Sequence, residues 1–203
     1  AVGTGAPPPD AQVIDAGGDV VMPGFVNPHS HLAMSLFRGL GEDVDDRLFR
    51  YILPLERKFV TPAIVRAGTA LSALELIEGG TTTVADMYYF ETEVAAVLDA
   101  AGLRGVVGQT LADFDPPDHR DLDEGFALVE ELVAFCEGRP RLTPSIAPHA
   151  PYSVGMAGMA RVADWAAGRR LPVQMHLAET HPENDWAIGA VGGSPVAAAK
   201  AAG

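Results

Sequence analysis

The sequence predicts an α/β protein with a parallel sheet, and three observations indicate this fold class. Short β-rich runs alternate with segments that have the 3.6-residue period of amphipathic helices, as in βαβ units. Reactive side chains stand at the predicted carboxyl ends of strands, where parallel sheets place their functional sites. No predicted strand is followed by Gly-x-Gly-x-x-Gly, which disfavours a dinucleotide-binding fold. The five strands counted from Phe25 onward fit an open doubly wound sheet as well as a barrel.

The first elements lead to a pair of histidines. Residues 1–10 are rich in glycine, proline and alanine and are predicted to be loose. The apolar runs at 13–15 and 20–22 are predicted to be short strands. The next strand runs into His29 and His31, so both imidazoles stand where a buried strand ends.

Capping signals and glycines predict the elements that follow. Residues 45–59 place apolar side chains at helical spacing. Thr61-Pro62 combines an N-cap residue with a proline suited to the first turn, and Gly79-Gly80 predicts the end of that helix. Downstream, the pattern predicts strands at 81–86, 104–109, 142–147 and 172–176 and helices at 91–101, 122–137, 156–167, 184–190 and 195–201.

Composition and charge exclude several classes of partner. The 203 residues carry a formal net charge of −13, so nucleic acid and anionic membranes are not expected as partners. No apolar run approaches the roughly 18–20 residues of a membrane span. The one cysteine, Cys136, cannot form an internal disulfide, which fits a cytoplasmic protein. We therefore expect a small-molecule ligand, and homo-oligomerisation is left open.

The predicted strand ends carry groups suited to metal-assisted hydrolysis. His29 and His31, at spacing two, point to the same side of a strand, while His149 and His176 end the fourth and fifth strands. Three of these imidazoles, those of His29, His31 and His176, could form one face of a zinc site. Zinc lowers the pKa of bound water from about 15.7 to about 7. Glu179, just beyond the fifth strand, could move a proton from that water to a leaving nitrogen.

Each of these residues also has a plainer interpretation. A lone His-x-His is weak support for a metal site, His149 could be a packed loop residue, and Glu179 could be a solvated turn residue. Asp86, at the end of the second strand, could cap the segment that follows it. His119 and His181 lie in polar, proline-flanked loops and are expected at the surface.

Five sequence blocks together resemble the amidohydrolase superfamily. They are Pro-Gly-Phe-Val-Asn-Pro-His-Ser-His-Leu, Leu-Pro-Leu-Glu, Gly-Gly-Thr-Thr-Thr-Val-Ala-Asp-Met-Tyr, Pro-His-Ala-Pro-Tyr-Ser and His-Leu-Ala-Glu-Thr. The branch they resemble most is that of the 5-methylthioadenosine/S-adenosylhomocysteine deaminases, with their cytosine-deaminase-like and chlorohydrolase relatives. The resemblance covers residues 13–203, and the blocks are specific together although none is specific alone.

The resemblance implies a (β/α)8 TIM barrel of the metal-dependent hydrolase type, with about the first five β/α units present. Residues 1–23 would then be a loose N-terminus with the remnant of a small β-sandwich domain, and residues 24–203 a partial barrel. The family continues past the equivalent of Gly203 with a histidine after the sixth strand and an aspartate after the eighth. We therefore expect this sequence to be an N-terminal fragment.

The resemblance also implies one divalent metal ion, with Zn²⁺ as the first choice and Fe²⁺ as the alternative. The bridging lysine of two-metal members has no counterpart, because both lysines, Lys58 and Lys200, lie in helical stretches. Residues 109–114 lack the substrate-binding arginine found there in adenosine-type members. By position, the resemblance implies His29, His31 and His176 as metal ligands, Glu179 as the catalytic acid/base, His149 as a substrate contact and Glu56 as the ligand of ribose hydroxyls.

The expected function is hydrolytic deamination at a ring C–NH2 of a purine, nucleoside or related heterocycle by a zinc-dependent aminohydrolase. The first alternative is a relative that removes a ring chloride or another C–N substituent, because the water-activating residues are common to both reactions. The second alternative is a catalytically incomplete barrel fragment that acts only as an assembly partner or has no function.

Overall fold

A computed structural model describes residues 5–203 and contains one four-stranded parallel sheet. The strands lie side by side in chain order, and each neighbouring pair is parallel. This is the arrangement of consecutive βαβ units, and it confirms the predicted α/β fold of the partial-barrel type. The strands are β1 Phe25–Ser30, β2 Thr81–Tyr88, β3 Arg104–Leu111 and β4 Leu142–Pro148.

The helices begin at capping residues that the sequence displays. The Thr61 hydroxyl accepts a hydrogen bond from the Ile64 backbone N–H, and Asp121, Thr180 and Ser194 cap three later helices in the same way. The helices are α1 Leu53–Phe59, α2 Pro62–Glu78, α3 Glu91–Ala101, α4 Leu122–Cys136, α5 Pro151–Arg169, α6 His181–Val191 and α7 Pro195–Ala202, with a 3₁₀ turn at Leu32–Phe37 and a π-helical turn at Leu48–Ile52.

Two apolar clusters hold the sheet against its helices. The first includes Val65 of α2, Val84 of β2 and Leu98 of α3, none of which is exposed. The second packs β3 and β4 against α4 and α5 and includes Leu111 and Ile146. Because the strands are fixed by these clusters, the loops at their carboxyl ends are held in defined positions around one edge of the sheet.

The predicted fifth strand does not form, and residues 172–176 pair with β4 through a single bridge. Val173 is bridged to Ile146, whose N–H donates to the Pro172 carbonyl and whose carbonyl accepts from the Gln174 N–H. Within the described chain this segment has one neighbouring strand, so it can form half of the ladder bonds of a central strand. The expectation of five strands is therefore corrected to four strands and one bridge.

The two short strands predicted before Gly24 are absent from the part of the chain that the structure describes. Val13 and Val21 are 69% and 85% exposed. Apolar side chains gain nothing from extended pairing where no surface covers them, so these runs stay outside the sheet. Residues 1–4 of the predicted loose segment lie outside the described residues, and the division into two domains stays a prediction.

Three helices begin elsewhere than predicted. The helix expected over 184–190 begins at His181, after the Thr180 cap. The helix expected over 45–59 begins at Leu48 with its π-helical turn. The helix expected over 156–167 begins earlier, at Pro151, and is broken at Gly155, whose φ of 67° lies outside the helical region. Within residues 5–203 no single helix is long and apolar enough to cross a membrane. Leu48–Phe59 and Pro62–Glu78 reach that length and apolarity only as a pair, and the two helices are bent by 117° relative to each other.

Candidate metal centre and active site

Three histidines from distant parts of the chain meet at the carboxyl edge of the sheet. His29 is the second-last residue of β1, His31 directly follows that strand, and His176 follows the bridge beside β4. The ring centroids of His29 and His31 are 4.9 Å apart. The ring centroid of His176 lies 5.2 Å from that of His29 and 5.0 Å from that of His31. The structure thus brings together the three imidazoles that the sequence assigned to one ion.

The backbone around β1 aims the His31 imidazole at His176. Pro28 has no N–H, and the pairing of β1 with β2 is irregular at that point. The His31 Nδ1 lies 2.6 Å from the Met87 carbonyl oxygen, so it is the nitrogen that carries the proton and donates. The lone pair of its Nε2 is therefore free to bind a ligand, and the His176 Nε2 lies 3.0 Å away.

The spacing of the ring nitrogens fits a bound metal ion. One nitrogen from each imidazole of His29, His31 and His176 lies within 4.8 Å of the other two. Tetrahedral zinc with bonds of about 2.0–2.1 Å separates two ligand nitrogens by roughly 3.3 Å, close to the 3.0 Å between the His31 and His176 nitrogens. Three protein ligands also leave a position for water, as catalytic zinc sites require.

Burial favours the neutral form of the imidazoles of His31, His149 and His176. It lowers the pKa of His31 from 6.5 to about 4, with a further contribution from the neighbouring His176 and His29. Burial and the same kind of neighbour lower the pKa of His149 to about 3, and burial lowers the pKa of His176 as well. Because the neutral imidazole is the form that binds metal ions, these side chains are ready to act as ligands at neutral pH.

A cavity of about 380 Å³ opens beside the histidines. Its volume lies in the range of small-molecule sites, and much of its wall is apolar. Of the six predicted site residues, only His29 is not part of the wall; it is exposed on the edge strand next to the cavity. The five that line the cavity are His31, Glu56, His149, His176 and Glu179.

Glu56 is a buried carboxyl group in this wall. It is 5% exposed, and its Oε1 accepts a hydrogen bond of 2.8 Å from the Tyr88 hydroxyl. Burial raises the pKa of Glu56 from 4.5 to about 7, although the Tyr88 bond opposes this. Sequence reasoning missed Tyr88, and the signal that could have found it is its place at the end of β2, two residues after Asp86.

Glu179 stands on a turn at the cavity, three residues beyond His176. Its side chain is exposed, and its backbone N–H donates to the Glu183 Oε2 at 2.7 Å. Glu183 is fully buried in the first turn of α6 and was not singled out from the sequence. The Thr180-x-x-Glu183 spacing, which is that of a capping box, is the signal that could have indicated it.

Asp86 lies outside the histidine cluster and supports the segment after β1. Its Oδ1 accepts from the Ser30 hydroxyl at 2.8 Å and from the Leu32 N–H at 2.7 Å. Its side chain is fully buried, and burial raises its pKa to about 7. The capping role left open by the sequence therefore applies to the 3₁₀ turn that follows His31, not to the segment after Asp86 itself.

The expectation that His119 lies at the surface is wrong. His119 is 3% exposed, and its Nδ1 lies 2.7 Å from the Asp118 Oδ1. The Asp118 Oδ2 accepts from the Phe90 N–H at 2.7 Å and from the Gln109 amide at 2.8 Å. The loop has the polar composition of a surface, but these bonds to two strand ends draw it inward. His181 is exposed at the start of α6, as predicted.

The fold and the site together define a class, that of parallel α/β barrels whose reactive groups converge at the carboxyl ends of the strands. Comparison with known families identifies the member of this class. The Amidohydrolase family matches residues 20–203, so the chain belongs to the amidohydrolase family.

Individual relatives are similar over most of this chain. A 5-methylthioadenosine/S-adenosylhomocysteine deaminase of Syntrophobacter fumaroxidans is 39% identical over 92% of this chain and 43% of its own length. A 5'-deoxyadenosine deaminase of Methanobrevibacter smithii is 36% identical over 85% of this chain and 40% of its own. The crystal structure of an adenosine deaminase from Xanthomonas campestris with bound zinc superposes with a TM-score of 0.85 at 36% identity, covering 89% and 42%. The chain thus spans about two fifths of these relatives.

Proposed function

We propose that the protein is a metal-dependent hydrolytic deaminase that acts on a ring C–NH2 of a purine nucleoside or a related small heterocycle. The observation that carries this proposal is the cluster of three imidazoles, those of His29, His31 and His176, beside a cavity whose wall also includes the Glu179 side chain. The names of the relatives, which are deaminases of adenosine derivatives, support the reaction class and the kind of substrate.

His29, His31 and His176 would hold one divalent metal ion, with Zn²⁺ as the first choice and Fe²⁺ as the alternative. Such an ion, when bound, lowers the pKa of water enough to supply hydroxide at neutral pH. The 3.0 Å separation of two ligand nitrogens supports this assignment, as does the zinc in the Xanthomonas campestris relative.

Glu179 would transfer the protons of the reaction. As the water oxygen bonds to the ring carbon that carries the amino group, Glu179 accepts the proton that the water loses. It then donates this proton to the leaving nitrogen, the C–N bond breaks, and ammonia departs. The proton left on the oxygen moves to the neighbouring ring nitrogen, so the ring keeps a carbonyl oxygen. The place of Glu179 supports this role, because it lies three residues beyond His176 in the wall of the same cavity.

His149 and Glu56 would position the substrate. His149 is neutral and 8% exposed, and its ring centroid lies 4.8 Å from that of His176, which suits a contact beside the reacting carbon. The Tyr88 hydroxyl bonds to the Glu56 Oε1, so Oε2 remains to accept from a substrate hydroxyl. The flat faces of a heterocyclic ring would pack on the apolar lining of the cavity: Met34, Ile52, Leu53 and Met87.

The remaining assignments of the sequence are retained as proposals. Residues 24–203 would be part of the catalytic barrel, and residues 1–23 would be a loose N-terminus with the remnant of a small β-sandwich domain. The single cysteine fits a cytoplasmic location. The net charge of −13 makes nucleic acid an unsuitable partner and leaves a small molecule as the ligand.

The proposal is tested in the full-length protein by assaying release of ammonia and of chloride from aminopurine nucleosides, pterins and chlorotriazines. We expect ammonia release, and we expect E179A to lower kcat by about 10²–10⁴-fold, the usual contribution of general acid–base catalysis. H176A should remove activity together with the bound metal. H181A, which changes an exposed histidine outside the cavity, is the matched control and should retain activity.

Three results of this assay would overturn the proposal. They are the absence of ammonia release, full activity of E179A, and activity in H176A after it has lost its metal. Release of chloride without ammonia would replace the deaminase with a chlorohydrolase.

A further inference from the structure

Glu183 forms two backbone hydrogen bonds to the turn that carries Glu179. Its Oε1 accepts from the Ala178 N–H at 2.9 Å, and its Oε2 accepts from the Glu179 N–H at 2.7 Å. The side chain is fully buried, so both bonds lie out of competition with water. Both oxygens of one carboxylate are thereby committed to two consecutive amides, which fixes the plane of the peptide between them.

The turn held by Glu183 needs such support. Ala178 has a φ of 59°, in the left-handed region that residues with a Cβ rarely adopt. An alanine in this conformation is retained where the surrounding bonds determine it. Two charge-assisted hydrogen bonds from the following helix supply that constraint at the residue next to Glu179.

Capping of α6 does not require the Glu183 carboxylate. The Thr180 hydroxyl accepts from the Glu183 N–H and so provides the N-cap bond of this helix. In a capping box the third-position glutamate would return to the N-cap N–H, but here the carboxylate reaches further back, to Ala178 and Glu179. The Glu183 carboxylate therefore binds the Ala178–Glu179 turn and not the N-cap of α6.

We propose that Glu183 is a positioning residue that sets the direction of the Glu179 carboxylate by holding the Ala178–Glu179 turn. This inference rests on the proposed role of Glu179 in proton transfer. Glu183 itself does not contact the cavity; it acts through the backbone of Glu179. A glutamine at this position would place an NH2 group against one of the two N–H donors and would lose that bond.

The kinetic test is a double-mutant cycle of E183Q and E179Q in the full-length protein. We expect E183Q to lower kcat by about 10–100-fold, the effect of a misplaced catalytic group, with KM changed by less than about threefold. Because Glu183 acts through Glu179, adding E183Q to E179Q should lower kcat no further. If the two losses multiply, or if E183Q keeps the wild-type kcat, the inference is wrong.

Glu124 provides the matched control. It stands at the equivalent third position of α4 after the Asp121 cap, and its carboxylate accepts from the upstream Arg120 N–H at 2.9 Å. It does not line the histidine cavity, so E124Q should leave kcat and KM unchanged. Loss of activity in E124Q comparable to that in E183Q would point to helix capping in general and would overturn the inference.

Amide hydrogen exchange gives a readout that is independent of activity. The N–H groups of Ala178 and Glu179 should exchange slowly in the wild type and at least about tenfold faster in E183Q, with α6 still protected. Unchanged exchange at both amides would contradict the inference. If the wild type releases no ammonia, the proposed function fails, while the exchange rates still report whether Glu183 holds the turn. Should E183Q not fold, E183D takes its place, with the same expectations.

Discussion

Ionisation of the buried Glu56 should make the stability of the protein depend on pH, and E56Q should remove that dependence. Glu56 is 5% exposed, and its one observed partner is the neutral Tyr88 hydroxyl. Burial raises its folded-state pKa to about 7, whereas the ordinary value is 4.5. The folded state therefore binds the proton more tightly than the unfolded chain does.

The expected magnitude follows from these two pKa values. The stabilisation is fully present below pH 4.5 and is lost as pH rises through about 7. One pKa unit corresponds to about 1.4 kcal/mol, so the difference between 4.5 and about 7 amounts to roughly 3 kcal/mol. A glutamine keeps the acceptor for the Tyr88 hydroxyl and carries no titrating proton. Relative to the wild type, E56Q should gain roughly 3 kcal/mol between pH 4.5 and pH 8.5.

Urea denaturation of the wild type and E56Q, followed by fluorescence of the two tryptophans, measures this difference. The other titrating groups are common to both proteins and cancel in the comparison. The control is E75Q, which removes an exposed carboxylate whose pKa is lowered by Arg38. As pH rises, the free energy of unfolding of E75Q should fall slightly relative to that of the wild type, which is opposite to the change expected for E56Q. A difference between E56Q and the wild type that does not change with pH would refute the reasoning.

Two further predictions concern packing and the buried loop. A Cβ on Gly68 of α2 would lie 2.3 Å from the Ala33 carbonyl oxygen, so G68A should lower the free energy of unfolding by about 2–3 kcal/mol. A Cβ on Gly168 would meet open space, so G168A should raise the free energy of unfolding by up to about 1 kcal/mol. Equal effects of the two substitutions would contradict this prediction. D118N should lower the free energy of unfolding by about 3 kcal/mol, because the new NH2 group would face buried hydrogen-bond donors. D115N changes an exposed side chain and should alter the free energy of unfolding by less than about 0.5 kcal/mol in the same urea assay. A stable D118N would show that the buried pair is dispensable.

Elements with local signals were predictable from the sequence. α2 begins after the Thr61 N-cap with a proline in its first turn, and α3 ends at Ala101 because Gly102 follows it. The fifth strand was not predictable in the same way. Its residues have β propensity, but Val173 bridges to β4 alone, and propensity does not report how many neighbours a strand has.

The candidate site shows the same division. His29 and His31 are visible as a pair, and His176 was placed with them because parallel strands end at one edge, although it lies 145 residues from His31. The burial of His119 depends on Asp118 reaching Phe90 and Gln109, contacts that the local composition of the loop conceals. The hydrogen bonds from the turn to Glu183 were not predictable either. The Thr180-x-x-Glu183 spacing indicates a capping box, but it does not show which backbone N–H groups the Glu183 carboxylate accepts from.

The central claim is that three histidines form one metal site, and zinc titration of the metal-free chain tests it most directly. We expect one equivalent of Zn²⁺ to bind per chain, in competition with a chromophoric chelator, and to stabilise the fold by about 2.7 kcal/mol at a free zinc concentration of 100 times Kd. H31A should abolish this binding, and H181A should retain it. Absence of stoichiometric binding, or binding that H31A leaves unchanged, would contradict the account.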